Sequence, residues 1–193
     1  MVYISLGSTC SIVYNLKRLE LRTEAYPFDW IRILNLNKIT ELINNNFDGF
    51  LDIDNFEFKE YSDKFMIDGE YSSYIYSNGY CNFYHEFNKP INECDVDEFI
   101  NKYQRRINRF MDLLNSDEEI IFVREELRKV SINKINNFIN AIQNINPNIN
   151  FKLVIISNYE IDYEIDNVIF HYSDKRIDTW MRHELEWFKI FLI

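Results

Sequence analysis

The chain has little glycine, proline or cysteine: its 193 residues include 4 Gly, 3 Pro and 3 Cys. Scarce glycine and proline argue against a low-complexity or loop-dominated protein, because such chains are rich in these residues. An odd number of cysteines without a CxxC pair argues against a disulfide framework and a thioredoxin-type motif. The short apolar run after the first residue lacks the basic leader of a secretory signal. We therefore expect a reducing compartment, the cytoplasm.

Long apolar runs and an excess of positive charge are absent too. No apolar stretch approaches the roughly 20 residues that span a bilayer, and the formal net charge is -10. Such a charge is a poor match for a phosphate backbone or an anionic lipid surface, so we expect neither nucleic acid nor membrane as a partner. The absence of a Walker loop, GxGxxG and GxSxG argues against the commonest nucleotide-binding and serine-hydrolase classes.

The chain is rich in apolar and aromatic residues, which make up 47% and 17% of it. This content predicts one packed domain over residues 1–193. Residues 50–80 carry many aromatic side chains among acids. We interpret them as short strands or as an irregular insertion or lid that could also contact a protein partner. Abundant asparagine and isoleucine indicate AT-rich coding, as in a low-GC bacterium, a protist or a large DNA virus. For a viral protein the location would be the host cytoplasm or the virion.

Apolar, strand-like segments alternate along the chain with amphipathic, helix-like ones. This alternation predicts an α/β fold: a single three-layer domain with a mainly parallel sheet, helices on both faces and the aromatic insertion. The predicted strands lie at 3–6, 80–87, 119–123, 151–156 and 168–170, and the predicted helices at 11–19, 39–43, 99–114, 132–142 and 180–192. On the first of these helices, Asn15 is expected to face water.

Ligands of such folds bind at the carboxyl ends of the parallel strands. Four loops follow predicted strands and are therefore expected to meet at one edge of the sheet. They span residues 7–10, 124–126, 157–158 and 173–174.

The first of these loops carries a candidate nucleophile. Gly7 permits a turn that a β-carbon would hinder, and Ser8 and Ser11 are helix-capping residue types, so Cys10 should lie at the start of a helix. Free amide hydrogens and the helix dipole favour a thiolate there. The alternative is a buried structural cysteine that behaves as a small hydrophobe.

A cysteine nucleophile needs a base, and the chain has three histidines. His85 follows an aromatic segment and could lie beside the pocket, or it could be a buried histidine with satisfied hydrogen bonds. His171 is the second candidate, and His183 is expected on the exposed face of a terminal helix. Because metal-ligand spacing is absent, a zinc site would need scattered ligands such as Cys10, Cys81 and His85. We predict no metal and no cofactor.

Further polar residues are candidates for the same site. Asp29, Glu86 and Asp174 could each orient an imidazole; we favour Asp29, which could equally cap a helix. Arg124 could bind a substrate carboxylate or phosphate, or stabilise an oxyanion, or simply pair with neighbouring carboxylates. With Arg124 and Asp174, the predicted substrate-binding residues are Gly7, Ser8 and Ser11, the last through backbone amides that could form an oxyanion hole.

Several segments together resemble a family of bacterial and viral proteins described as papain-like cysteine peptidases. The resemblance covers nearly the whole chain, and SLGxxC and PFDW are its most specific parts. The segments are SLGSTC at 5–10, LR at 21–22, YPFDW at 26–30, FYHEF at 83–87 and FVR at 122–124. The resemblance implies that Cys10 is the nucleophile and that His85 is its partner.

Two functions from different classes are compatible with these observations. The first is a cysteine-dependent hydrolase or peptidase, a thiol protease in the case of a peptide substrate. It would act on an amide or ester of a peptide or small molecule through a thioester. The second is a non-catalytic binding or structural protein on the same fold, for example a component of a virion or of a surface assembly.

Overall fold

The computed structural model describes residues 1–63, 73–173 and 179–192. These residues form five α-helices and eight β-strands, besides short 3₁₀ turns. In chain order the elements are β1 Val2–Ser5, α1 Ser11–Arg18, β2 Ile31–Arg32, α2 Leu36–Asn44, β3 Glu57–Ser62, β4 Ser73–Ser77, β5 Asn82–Phe83, α3 Val96–Leu114, β6 Ile120–Glu126, α4 Ile132–Ile145, β7 Phe151–Ser157, β8 Val168–Tyr172 and α5 Trp187–Phe191.

The main sheet is parallel and has the strand order β1-β6-β7-β8. Its central strands β6 and β7 are buried along almost their whole length. Residues 120–123 and 153–156 of these strands are apolar throughout, because helices cover both faces of a parallel sheet. This is the feature that made them recognisable in the sequence.

Side chains alternate between the two faces of this sheet, so β1, β6 and β7 each contribute to two apolar clusters. On one face Ile4 and Phe122 pack with residues of α2, α3 and α4. On the other face Tyr3 and Val123 pack with residues of α1 and α5. The predicted three-layer α/β arrangement is confirmed.

A second sheet is antiparallel and has the strand order β2-β5-β4-β3. Strands β3 and β4 come from the aromatic segment 50–80, for which short strands were one of the expectations. Strand β3 is exposed along most of its length, whereas β4 is largely buried. Whether residues 50–80 act as a lid or contact a partner stays a prediction. In the described ranges, no helix is long and apolar enough to cross a membrane.

Three local predictions are wrong. The terminal helix is shorter than predicted: it begins at Trp187, because residues 179–186 form turns in which Arg182 has a left-handed φ of 54°. Asn15 was expected to face water but is buried under these turns, where its side chain donates to the carbonyl of Met181 at 2.8 Å. The predicted strand at 80–87 contains only the two residues of β5.

Asp29 is not followed directly by a helix. The residues after it form a turn and β2, and the cap of α2 is Asn35, whose side chain accepts from the N–H of Asn37 at 3.1 Å. The capping alternative for Asp29 is therefore wrong.

Candidate active site

The loops that follow the parallel strands lie at one edge of the sheet, although residues 124–126, predicted as a loop, are the last residues of β6. The N–H of Leu6 donates to the carbonyl of Val123 at 2.9 Å, which places the loop after β1 beside the end of β6. At the same edge, but between β7 and β8, the N–H of Ser173 donates to the carbonyl of Ser157 at 2.9 Å. Asp174, a predicted site residue in the last of these loops, lies outside the described residues.

The loop before Cys10 has a tight, left-handed backbone. Gly7 has φ 70° and Ser8, which is buried, has φ 55°. A β-carbon on Gly7 would lie 3.5 Å from the carbonyl oxygen of Phe28, an ordinary contact. Glycine is therefore favoured here by its φ and not by lack of space. A strained backbone of this kind is held in place by its surroundings and occurs often at active sites.

This loop places Cys10 directly before α1 and close to His85. The Sγ atom of Cys10 lies 3.6 Å from Nε2 of His85, although 75 positions separate the two residues in the chain. The ring of Trp30 meets the imidazole of His85 edge to face, with centroids 5.8 Å apart. The two predicted catalytic residues are thus within hydrogen-bonding distance for a sulfur and a ring nitrogen.

Burial sets the protonation of this pair. It raises the pKa of the Cys10 thiol to about 12, against a smaller opposing effect of the charge on Arg32. It lowers the pKa of His85, against a smaller opposing effect of Glu86. At neutral pH the site therefore holds a thiol and a neutral imidazole. The thiolate expected at the helix start from the sequence stays a prediction, and burial of the sulfur opposes it.

A buried polar cluster lies beside Cys10. The hydroxyls of Thr9 and Ser11 donate to Oε2 of Glu125 at 2.7 and 3.1 Å, and Arg182 donates to the other oxygen, Oε1. Sequence reasoning treated Glu125 only as a partner for an arginine. Its position at the end of a buried strand was the signal available. Arg182 gave no signal, because it falls in the segment that was predicted to be helical.

Asp29 and Glu86 each have partners other than those expected of a catalytic carboxylate. Oδ2 of Asp29 accepts from Nε of Arg22 at 2.9 Å and from the N–H of Tyr26 at 3.2 Å. Burial raises the pKa of Asp29, and the charge of Arg22 opposes this. Glu86 is bound to α3 by Lys102 and by the hydroxyl of Tyr103, the latter at 2.9 Å. The catalytic role of Asp29 stays a prediction.

Arg124 is fully buried within β6 and bound to protein acceptors on three sides. It donates to the carbonyls of Leu6 at 2.8 Å and Ile33 at 3.1 Å, and it pairs with Glu126. Pairing with a neighbouring carboxylate was one of the alternatives drawn from the sequence. These bonds tie β6 to the segments that follow β1 and β2, while contact with a substrate stays a prediction.

The remaining histidines lie elsewhere. His171 lies in β8, and its buried Nε2 has no hydrogen-bond partner within the described ranges. His183 is exposed, as predicted, but it lies in a turn and not in a helix. Across residues 1–63, 73–173 and 179–192, no three side chains of the metal-binding types converge.

The fold and the paired side chains define a class: an α/β protein that presents a cysteine beside a histidine at the carboxyl end of a parallel sheet. The chain belongs to the family described as Putative papain-like cysteine peptidase (DUF1796), whose model matches residues 1–160. The resemblance stated from the sequence is therefore confirmed.

A viral protein is similar along its whole length. The uncharacterized protein R408 of Acanthamoeba polyphaga mimivirus is 31% identical over 218 residues, which cover 99% of this chain and 97% of that protein. No solved structure matches the chain significantly. A viral relative agrees with one of the three sources inferred from composition, while low GC content stays a prediction.

Proposed function

We propose that this protein is a cysteine-dependent hydrolase or peptidase in which Cys10 attacks an amide or ester carbonyl and His85 takes its proton. The observation that carries the proposal is the 3.6 Å separation of the Cys10 Sγ and the His85 Nε2. The family description supports the same chemistry. The substrate class would be a peptide or a small acyl compound.

In this proposal the resting pair is uncharged and His85 acts as a general base. As Sγ bonds to the carbonyl carbon, the thiol proton passes to Nε2, and the carbonyl becomes a tetrahedral oxyanion. The imidazolium then returns this proton to the leaving amine or alcohol as the C–N or C–O bond breaks, and a thioester on Cys10 remains. A water molecule, deprotonated by His85, attacks the thioester and releases the acid and the free thiol.

The start of α1 would stabilise the oxyanion. The first amide hydrogens of a helix have no acceptor within the helix, and those of Ser11 and Ile12 follow the nucleophile directly. The hydroxyl of Ser11 is bound to Glu125, so its contribution would come from the backbone alone. Burial strengthens such hydrogen bonds, because little water competes for the developing charge.

The test uses p-nitrophenyl esters and peptide amides as substrates, with mass spectrometry of the acylated peptide. We expect an acyl adduct on Cys10, no adduct in Cys10→Ala and a rate lower by about 100-fold in His85→Gln, the usual contribution of a general base. Cys94→Ala is the matched control, because Cys94 is half-buried like Cys10 but lies elsewhere. Unchanged hydrolysis in Cys10→Ala would contradict the proposal and favour the non-catalytic alternative.

A further inference from the structure

Cys10 occupies the N-cap position of α1. Its side chain makes no capping hydrogen bond to α1. Its two neighbours in the chain are held instead, because the hydroxyls of Thr9 and Ser11 converge on Oε2 of Glu125. The two hydroxyl oxygens lie 2.6 Å apart, so their two protons serve three short oxygen–oxygen contacts, one between the hydroxyls and two to the carboxylate. One carboxylate near the end of β6 therefore holds both chain neighbours of the nucleophile.

Glu125 needs a compensating charge in order to serve this purpose. Its side chain is 2% exposed, and a carboxylate so deeply buried is costly without a partner. Arg182, whose side chain is also 2% exposed, supplies the partner by donating from Nη1 to Oε1. The second oxygen stays available to Thr9 and Ser11.

Arg182 is itself fixed by the turns around it. Its N–H donates to the carbonyl of Thr179 at 3.1 Å, and its carbonyl accepts from the indole N–H of Trp187 at 2.8 Å. Its Nε donates to Glu184. With the backbone of Arg182 and its Nε fixed in this way, the guanidinium can in turn hold a neighbouring group.

The C-terminal segment around Arg182 also holds α1. The side chain of Asn15 donates to the carbonyl of Met181, and Trp187 and Phe191 belong to the same apolar cluster as Ile12. This segment lies beyond residues 1–160, which match the family model. Its role at the site thus comes from the contacts alone.

We propose that Arg182 is a positioning residue for Cys10. By pairing with Glu125 it keeps the hydroxyls of Thr9 and Ser11 in place, and these set the distance from Cys10 to His85. The inference rests on the proposed function, since a catalytic pair is what Arg182 positions. Arg182 acts through Glu125 and does not contact the reacting atoms.

The variant Arg182→Met removes the charge and keeps an apolar side chain of similar length. It leaves Glu125 buried without its partner, so the loop that carries Cys10 has to rearrange. We expect kcat for the ester to fall about tenfold or more with KM within about twofold, because small misplacements of reacting groups are costly. Iodoacetamide labelling of Cys10 relative to Cys94 should change in parallel.

Two further variants separate positioning from stability. Arg182→Lys keeps the charge and should restore part of kcat. In the double variant Glu125→Gln/Arg182→Met, the amide oxygen still accepts from both hydroxyls, and neither position of the buried Glu125–Arg182 pair carries a charge. We expect the double variant to fold and to recover kcat to within about fivefold of the starting protein, as expected for removal of a buried pair as a unit. If Arg182→Met does not fold, the double variant carries the test, and a folded double variant without recovery overturns the proposal.

The control and the readouts keep the two proposals distinct. Lys38→Met breaks an exposed ion pair on α2 and should leave kcat unchanged. Independently of turnover, the NMR amide signals of residues 9–11 should shift in Arg182→Met and return in the double variant. Unshifted signals, or a folded Arg182→Met with kcat within twofold of the starting protein, overturn the role of Arg182. An absence of any Cys10-dependent turnover contradicts only the proposed function, because the amide signals still report on the loop.

Discussion

Burial acts on Cys10 and His85 in opposite directions on the pKa scale and leaves both uncharged at neutral pH. It raises the pKa of the thiol to about 12 and lowers that of the imidazole below its ordinary 6.5. Many cysteine nucleophiles depend instead on a thiolate beside a protonated histidine. The protonation state of the pair therefore predicts how kcat/KM depends on pH.

In the proposed mechanism, the active form of this pair has His85 unprotonated and Cys10 protonated. We therefore expect kcat/KM to rise with pH along an acid limb whose apparent pKa lies below 6.5. The rate should then stay level through the alkaline range in which the protein remains folded, because the thiol loses its proton only near pH 12. The measurement is kcat/KM against pH with the ester substrate. A bell-shaped profile with a fall at mildly alkaline pH would indicate an ion pair instead.

Arg32 is an exposed cation whose charge lowers the pKa of Cys10. Arg32→Gln should raise that pKa and slow iodoacetamide labelling of Cys10 about two- to threefold at a fixed alkaline pH. The effect should shrink in 1 M salt, because salt screens exposed charges. Arg105→Gln, on the exposed face of α3, is the matched control and should leave the labelling rate unchanged. Slowing by both variants to the same extent would contradict a specific effect of Arg32.

At the scale of elements, the turn between β1 and α1 was predictable from the sequence, but the side chains that surround it were predictable only in part. The turn itself was predictable, because Gly7 follows a buried strand and residues of capping type follow Gly7. The positions of Glu125 and His85 were not predictable to the same degree, since both depend on contacts across more than 70 residues of chain. Local signals describe the turn, and tertiary contacts decide what lies beside it.

Two glycines of this chain offer a matched pair for testing the turn. Gly7 has φ 70° and Gly49 has φ 72°, and neither lacks room for a β-carbon. Alanine at either position should lower the free energy of unfolding by about 1 to 2 kcal/mol, the cost of the left-handed region. Urea denaturation measures this loss. Only Gly7→Ala should also change the labelling of Cys10, and equal effects on labelling would contradict the role of the turn.

Short or irregular elements were not predicted correctly, because their sequences are too short or too irregular to show a reliable apolar period. Strands β2 and β5 have two residues each, too few to show a period. The predicted terminal helix was based on apolar spacing, yet Trp180 and Phe188 prove to be exposed. The spacing therefore coincides with helical periodicity without forming one buried face. Long helices such as α3 gave no such difficulty, because their apolar positions recur over many turns.

For the whole molecule, the α/β class followed from the sequence because parallel strands need covering helices, whose patterns alternate with the strands. The antiparallel sheet did not follow, since it joins β2 to strands from residues 57–83 that lie far along the chain. The candidate site lies close to both sheets: Cys10 follows the parallel one and His85 follows β5 of the other. Neither sheet alone would supply the pair.

The histidines also predict how global stability depends on pH. Burial lowers the folded-state pKa of His171 and His85, so the unfolded chain takes up protons first as pH falls. The stabilisation is present above the ordinary pKa of 6.5 and is lost as pH falls through the lower folded-state value. Unfolding free energy from urea titrations should therefore decrease from pH 7 to pH 5. His171→Leu should make this dependence shallower, whereas the same change at exposed His183 should not; equal slopes would contradict the assignment.

The protonated sulfur of Cys10 bears on how the protein withstands oxidants. Peroxide attacks thiolates far faster than thiols, so a nucleophile with a depressed pKa is prone to conversion into sulfenic and sulfinic acids. In the proposed mechanism, Cys10 keeps its proton at rest and gives it up only to His85 as a substrate carbonyl is attacked. Such a site combines the nucleophilicity of sulfur during turnover with chemical durability between turnovers.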